Sequence, residues 1–377
     1  MSLYIGLMSG TSLDGVDGVL ARFPEDPSRH ELAVLAHAHR PFPVALREEL
    51  LALNRPGGED ELHRAMLAAN ALARVQAEVV QAVLVAAGQG REGIRAIGSH
   101  GQTVRHRPGE FDGTGYTLQL NAPALLAELT GIAVAADFRS RDVAAGGQGA
   151  PLVPAFHARV FGRPDAPRAL LNLGGIANLT LLPAMNDAQA QVRGFDCGPA
   201  NALMDHWAQR HLGHAFDDGG CWAASGRVLP GLLTALMAEP YLRRPAPKST
   251  GRDLFNPEWL AARMAGFEAA APEDVQATLA EFTASAAAEA LQREAPVCSE
   301  LLVCGGGAFN LHVMSRLAAL LPGCRVGSTA DAGLPPLEVE SAAFAWLARC
   351  ALLGQPGNRP EATGARGPRI LGAVYPA

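Results

Sequence analysis

A repeated piece of strand grammar constrains this chain more than any other feature. Leu3-Tyr-Ile-Gly-Leu-Met-Ser-Gly-Thr-Ser-Leu-Asp-Gly-Val-Asp-Gly-Val-Leu-Ala-Arg22 reads as an apolar strand, a turn of small polar residues and a second strand. The same order returns in Ala169-Leu-Leu-Asn-Leu-Gly-Gly-Ile-Ala-Asn-Leu-Thr-Leu-Leu182. A repeat about 165 residues on predicts a duplicated domain. A third run, Leu301-Leu-Val-Cys-Gly-Gly-Gly-Ala-Phe-Asn310, predicts a buried strand entering glycines and then a helix over 310–321. Apolar residues at three-to-four spacing predict helices over 44–54, 60–88, 122–130, 199–212, 257–265, 273–293 and 339–353, so the fold class is α/β.

The 377 residues suffice for two domains at about 100–200 residues each. Phe161-Gly-Arg-Pro-Asp-Ala-Pro167 is the best linker, giving domains 1–165 and 166–377. The C-terminal helix is left free to cross back to the first. With 49% hydrophobic and 18% charged residues, the chain is not disordered, so its 41 glycines predict tight turns inside an ordered protein. The net charge of −6 has the wrong sign for a nucleic-acid-binding field. Six cysteines without a C-x-x-C pair read as reduced structural thiols. There is no signal-peptide pattern and no long apolar run, so a soluble cytoplasmic protein is expected.

Several segments carry groups suited to chemistry. Gly6, Ser9, Gly10 and Thr11 in one turn, and Gly174 and Gly175 in the other, would let main-chain N–H groups approach phosphates. The competing reading is a plain tight hairpin. Asp14 and Asp17 would hold a hydrated Mg²⁺, or serve as turn and cap residues. Asp196 follows an apolar strand and precedes Pro199, a good first helical residue, so it is a general base or a helix cap. Ile97-Gly-Ser-His-Gly-Gln-Thr-Val-Arg-His-Arg-Pro108 suits a hydroxyl-rich ligand; the six-residue spacing of His100 and His106 is a poor metal signal. Arg139 and Arg141 would clamp a carboxylate, or join a surface Arg–Asp network. Lys248-Ser-Thr-Gly-Arg252 is a mobile phosphate or substrate contact, or a solvated basic loop.

Together these segments resemble the anhydro-N-acetylmuramic acid kinase family of the sugar kinase, heat-shock chaperone and actin superfamily. The likeness runs in order through Gly6-Leu-Met-Ser-Gly-Thr-Ser-Leu-Asp-Gly15, Ser99-His-Gly-Gln-Thr103, Ala136-Asp-Phe-Arg139, Asp142-Val-Ala-Ala-Gly-Gly-Gln-Gly-Ala-Pro-Leu-Val-Pro154, Asn172-Leu-Gly-Gly-Ile-Ala-Asn178, Gly194-Phe-Asp-Cys-Gly-Pro199, Pro247-Lys-Ser-Thr-Gly-Arg252 and Cys304-Gly-Gly-Gly-Ala-Phe-Asn310, to Leu371-Gly-Ala-Val-Tyr-Pro376. Ala200 stands where many relatives have Gly, and 24–30 and 184–190 read as variable loops.

The resemblance implies a two-domain actin-like fold, a duplicated ribonuclease H-like α/β architecture, with an active-site cleft between the domains. It implies ATP and Mg²⁺. It assigns ATP to Gly10, Thr11, Ser12, Leu13, Asp14, Gly15, Val16 and Asp17, to Gly174, Gly175 and Asn178, and to Gly305, Gly306, Gly307 and Asn310, with Mg²⁺ reached from Asp14 and Asp17 through water. It makes Asp196 the base and Glu340 a second catalytic carboxylate, Glu338 being the competing position. It places the sugar against His100, Gln102, Asn121, Arg139, Gln148 and Lys248. The implied reaction opens the 1,6-anhydro ring of 1,6-anhydro-N-acetylmuramic acid and phosphorylates its 6-oxygen, in peptidoglycan recycling. No membrane or nucleic-acid partner follows, and a homodimer is left open. The alternatives are a kinase of the same fold for another sugar or small carboxylate, and a non-catalytic nucleotide-binding protein of the actin or chaperone type.

Overall fold

The first repeated hairpin forms as the alternation predicts. In the computed structural model, which describes residues 1–10, 12–26, 31–187, 191–251 and 254–377, β1 (Ser2–Met8) pairs antiparallel with β2 (Gly15–Phe23), and β2 with β3 (Ala33–Pro41). Helices α1 (Val44–Leu53) and α2 (Glu61–Ala87) follow, the second ending at Gly88 in the left-handed region that suits glycine. Strand β4 (Ile94–Ser99) then enters parallel to β1. A separate hairpin of β5 (Gln102–Pro108) and β6 (Gly115–Leu120) precedes α3 (Pro123–Thr130), β7 (Val134–Ala136), α4 (Ser140–Ala144) and α5 (Val153–Phe161). Strand β7 is parallel to β4.

The second repeat builds the same sheet. Strands β8 (Arg168–Leu173), β9 (Ile176–Leu182) and β10 (Arg193–Pro199) form an antiparallel meander. Helices α6 (Asn201–Leu212), α7 (Cys221–Ser225), α8 (Pro230–Met237), α9 (Pro257–Arg263) and α10 (Pro272–Glu294) come next. Strand β11 (Glu300–Cys304) joins β8 in parallel, and after α11 (Leu311–Leu320), β12 (Arg325–Ser328) joins β11. The chain ends with α12 (Val339–Leu353), α13 (Pro360–Thr363) and β13 (Ala373–Tyr375).

The sheet orders are β3-β2-β1-β4-β7, edged by β13, and β10-β9-β8-β11-β12. Each is the order 3-2-1-4-5 with three antiparallel strands followed by two parallel ones. This is the ribonuclease H-like topology made twice, the duplicated actin-like α/β fold. The chain divides into one unit of 1–160 with 337–377 and another of 161–336. Residues 337–377, counted with the second half in the sequence division, thus pack with the first.

The packing of α12 explains that return. A Cβ on Gly6 would lie 1.8 Å from the Ser341 carbonyl oxygen, and one on Gly98 would lie 2.0 Å from that of Phe344. The helix backbone therefore rests directly on β1 and β4. Val339, Ala342, Ala343, Phe344, Ala345 and Leu347 are buried there, each large side chain contributing about 1.5–3 kcal/mol by leaving water. Gly6, expected in the phosphate turn, is instead mid-strand in β1 and serves this contact. The helix expected from 199 starts at 201, because β10 runs on to Pro199, which pairs with Ile176. Proline is tolerated there because β10 is an edge strand.

Gly6→Ala is expected to destabilise the protein by about 2–3 kcal/mol through overpacking. Gly174→Ala, where the nearest atom to a new Cβ is 3.9 Å away, is expected to stay within about 0.5 kcal/mol. Denaturant unfolding of the two variants checks the contrast.

Candidate active site

In the unit built on β1, the turn after β1 is pinned by the turn after β4. Ser9 Oγ donates to the Gly101 carbonyl at 2.9 Å, and Gln102 Nε2 donates to the Gly10 carbonyl at 3.1 Å. Leu13, buried, holds the turn closed at φ 58°, its N–H donating to the Gly10 carbonyl at 3.3 Å. His100 Nδ1 lies 3.2 Å from the Ser9 carbonyl, while its Nε2 accepts from Arg139 Nε at 3.1 Å. These partners assign the proton to Nδ1. Burial, with Arg139 adding to it, lowers the His100 pKa to about 3, so the ring is neutral. Arg139 Nη1 also donates to the Gly149 carbonyl at 2.8 Å, which orients the guanidinium. Gln102 Oε1 is buried with no hydrogen-bond partner among the described residues.

The other substrate candidates of this unit divide. Asn121 Nδ2 donates to Ser99 Oγ at 3.0 Å, and Ser99 Oγ also accepts from Gln76 Nε2 at 3.0 Å, a buried polar cluster beneath the turn. Gln148 is exposed, and its main-chain N–H donates to the Thr363 carbonyl at 2.7 Å. The Arg–Asp surface network is not what Asp142 makes. That carboxylate is buried and accepts from the Gly149 N–H at 2.8 Å, Asn358 Nδ2 at 2.7 Å and Thr363 Oγ1 at 2.8 Å. Sequence reasoning missed this knot, because Asn358 and Thr363 lie more than 200 residues from Asp142. Glu340 is half-buried in the first turn of α12. Glu338, at the N-cap of α12, has its pKa raised by burial.

Among the acidic pair, Asp14 Oδ1 accepts from Ser12 Oγ at 2.8 Å, and Asp17 Oδ1 faces His37 Nε2 at 3.0 Å and His39 Nδ1 at 3.3 Å. Val16 is wholly in the core, and a Cβ on Gly15 would meet the Arg40 carbonyl at 2.2 Å. Thr11 lies outside the described residues, as does Arg252.

The glycines now sort by whether the fold itself requires them. Gly305 has φ 77° and a Cβ there would fall 2.4 Å from Asn172 Oδ1; on Gly307 it would fall 2.4 Å from Leu173 Cβ. Gly10, Gly174, Gly175 and Gly306 differ: none has a left-handed φ, and the nearest atom to a new Cβ is 3.7, 3.9, 3.8 and 3.7 Å away. Neither packing nor backbone conformation requires glycine at those four positions. Asn310 is a helix cap, its Oδ1 accepting from the Val313 N–H at 3.0 Å.

In the unit built on β8, Asp196 sits inside β10 at a bulge, not at a helix start. Its Oδ1 accepts from Asn178 Nδ2 at 2.8 Å and its Oδ2 from the Thr250 N–H at 2.9 Å. Its own N–H donates to the Lys248 carbonyl at 3.2 Å, and its carbonyl accepts from Tyr241 Oη at 2.9 Å. Lys248 is not a solvated loop residue. Its Nζ donates to the carbonyls of Tyr241 at 3.1 Å and Leu242 at 2.9 Å, and burial lowers its pKa. Burial also raises Cys197 to about 12, so the thiol beside Asp196 is inert. Tyr241 carries no sequence signal of its own, and although Thr250 lies in the Lys248–Arg252 segment, only the fold brings its N–H to Asp196.

Comparison with known proteins decides the family. The family model described as anhydro-N-acetylmuramic acid kinase matches residues 2–377. The chain belongs to the anhydro-N-acetylmuramic acid kinase family. A relative of that name from Variovorax paradoxus (strain S110) is 61% identical over 376 residues, covering 100% of this chain and 99% of the relative. Another member, from Albidiferax ferrireducens (strain ATCC BAA-621 / DSM 15236 / T118), is 60% identical over 391 residues, covering 100% and 99%. Among solved structures, a ROK family glucokinase from Streptomyces griseus in complex with glucose and AMPPNP is 13% identical, with a TM-score of 0.40 over 92% of this chain and 99% of that one.

The neutral His100 carries a pH signature. A buried imidazole with its pKa depressed stabilises the fold fully above the unfolded value near 6.5, and that stability is lost as pH falls toward about 3. Unfolding free energy is expected to decline below pH ~6.5, and His100→Asn to flatten the decline by about one bound proton. Urea unfolding between pH 7 and 4 measures it.

Proposed function

We infer that this chain is an ATP-dependent phosphotransferase that hydrolyses the 1,6-anhydro bridge of 1,6-anhydro-N-acetylmuramic acid and phosphorylates the 6-oxygen, giving N-acetylmuramic acid 6-phosphate and ADP. The observation that carries this reading is the family match along residues 2–377. The geometry of Asp196 supports the chemistry. A carboxylate held on both oxygens presents its remaining lone pairs in a fixed direction, as a base for water attack on an anomeric carbon requires. Asp196 takes a proton from water, the water oxygen bonds to the anomeric carbon, and the bond from that carbon to the 6-oxygen breaks. The departing 6-oxygen takes the γ-phosphoryl group, and ADP leaves. Positioning and electrostatic stabilisation carry most of such a transfer.

Further roles follow from the residues' places. Gly10, Gly174, Gly175 and Gly306 admit phosphates or nucleotide to the main chain, since nothing closer than 3.7 Å stands where a Cβ would be and the glycine is not needed for packing. Gly305, Gly307 and Asn310 shape the nucleotide site through their own packing and capping. Arg139, oriented by neutral His100 and the Gly149 carbonyl, is a donor for the sugar's carboxylate, with Gln102 beside it. Glu340 is a second carboxylate for the sugar. Mg²⁺ would supply neutralisation of phosphate charge. Asp14 and Asp17 would reach the ion through water. Among the described residues no helix is long and apolar enough to cross a membrane, and we assign the enzyme to the cytoplasm, where ATP and recycled cell-wall sugars meet.

Incubation of the protein with ATP, Mg²⁺ and 1,6-anhydro-N-acetylmuramic acid is expected to yield a sugar heavier by one phosphate and one water in mass analysis; its absence overturns the substrate. Asp196→Asn is expected to lower turnover at least about 10³-fold while ATP binding by calorimetry stays within about twofold. Turnover like the wild type removes Asp196 as the base.

A further inference from the structure

We propose that Asn178 is a positioning residue for Asp196 rather than a nucleotide contact. The inference rests on the reading of Asp196 as the base. Asn178 and Asp196 are direct partners in the β9–β10 register, so the two side chains emerge on the same face of neighbouring strands. Asn178 Nδ2 donates to Asp196 Oδ1 at 2.8 Å. The amide's own Oδ1 is buried with no hydrogen-bond partner among the described residues.

That orphan oxygen fixes the sense of the contact. Turning the amide over would bring its oxygen against an ionised carboxylate, two acceptors without a proton between them. The amide therefore forgoes a partner on one side in order to donate to the charged form of Asp196 on the other. The Thr250 N–H holds the second oxygen at 2.9 Å. With both ends taken, rotation of the carboxylate would break two hydrogen bonds. Cys197, Tyr241 and Lys248 are charge-coupled to Asp196, but Tyr241 Oη donates to the Asp196 carbonyl and Lys248 Nζ to the carbonyls of Tyr241 and Leu242. Asn178 is thus a side chain that holds the base in one direction.

Asn178→Ala and the near-isosteric Asn178→Asp test this. In Asn178→Ala, kcat is expected to fall about 10–100-fold with KM for ATP and for the sugar little changed. The acid limb of the kcat–pH profile is expected to move to higher pH, because a donor to the charged form is lost. In Asn178→Asp the limb is expected to move further up, because two facing carboxylates share a proton. An acid limb that overlays the wild type in Asn178→Asp overturns the proposal, as does a loss confined to the KM for ATP. The ¹³C titration of the Asp196 carboxyl, assigned with Asp196→Asn and compared between wild type and Asn178→Asp without substrate, gives the same answer independently of turnover. If the wild type makes no phosphorylated sugar but that titration shifts upward, the substrate reading fails and the positioning role stands. If the titration does not move, the positioning role fails whatever the substrate.

Discussion

Each unit hangs on the hydrogen bonding of its first strand. Strands β1 and β8 are central, and each pairs on both edges, antiparallel with the next strand and parallel with one that arrives about ninety or more residues later. A strand paired on both sides has no freedom to slide, because a slip of one residue would turn its apolar face outward. The glycine turns that leave these strands are therefore anchored at one end by the most constrained backbone in the unit. This lets a turn with little side-chain bulk keep a fixed shape.

Close backbone approach is the second constraint, and it changes the meaning of the glycines. Gly6 and Gly98 admit α12, while Gly305 and Gly307 admit the end of β8. Gly6, Gly305 and Gly307 look like ligand glycines in the sequence, and in the fold they also meet close backbone or side-chain neighbours. At Gly10, Gly174, Gly175 and Gly306 a Cβ would make only ordinary van der Waals contact, so packing does not require glycine there. The same sorting applies to polar groups. Asn121 and Asn310 spend their amides inside the protein, Asp142 ties a glycine-rich loop to the C-terminal segment, and Lys248 turns onto carbonyls of the chain that carries it. Arg139 keeps a directed guanidinium because its neighbour His100 is held neutral.

The candidate base shows how a carboxylate is placed without a rigid helix beneath it. Asp196 lies at a bulge of an edge strand, where the ladder is locally broken. Four hydrogen bonds compensate for that break: two to the side chain, from Asn178 and Thr250, and two on its main chain, with Lys248 and Tyr241. The segment 241–250 thus acts as a further wall for β10, and its lysine fastens that wall to itself.

The sequence by itself determined the two hairpins, the strand running into Gly305, the seven long helices to within a few residues, and the family, because these are written in local periodicity and contiguous motifs. It could not determine that β10 extends through Pro199, that 337–377 belongs with the first unit, or that Asn178 faces Asp196. Each depends on pairing between segments whose separation along the chain carries no register information. Only the tertiary structure decided which glycines the fold needs for itself, since that turns on what stands within a few ångströms of an absent Cβ, and the neighbour is hundreds of residues away for Gly6 and Gly98.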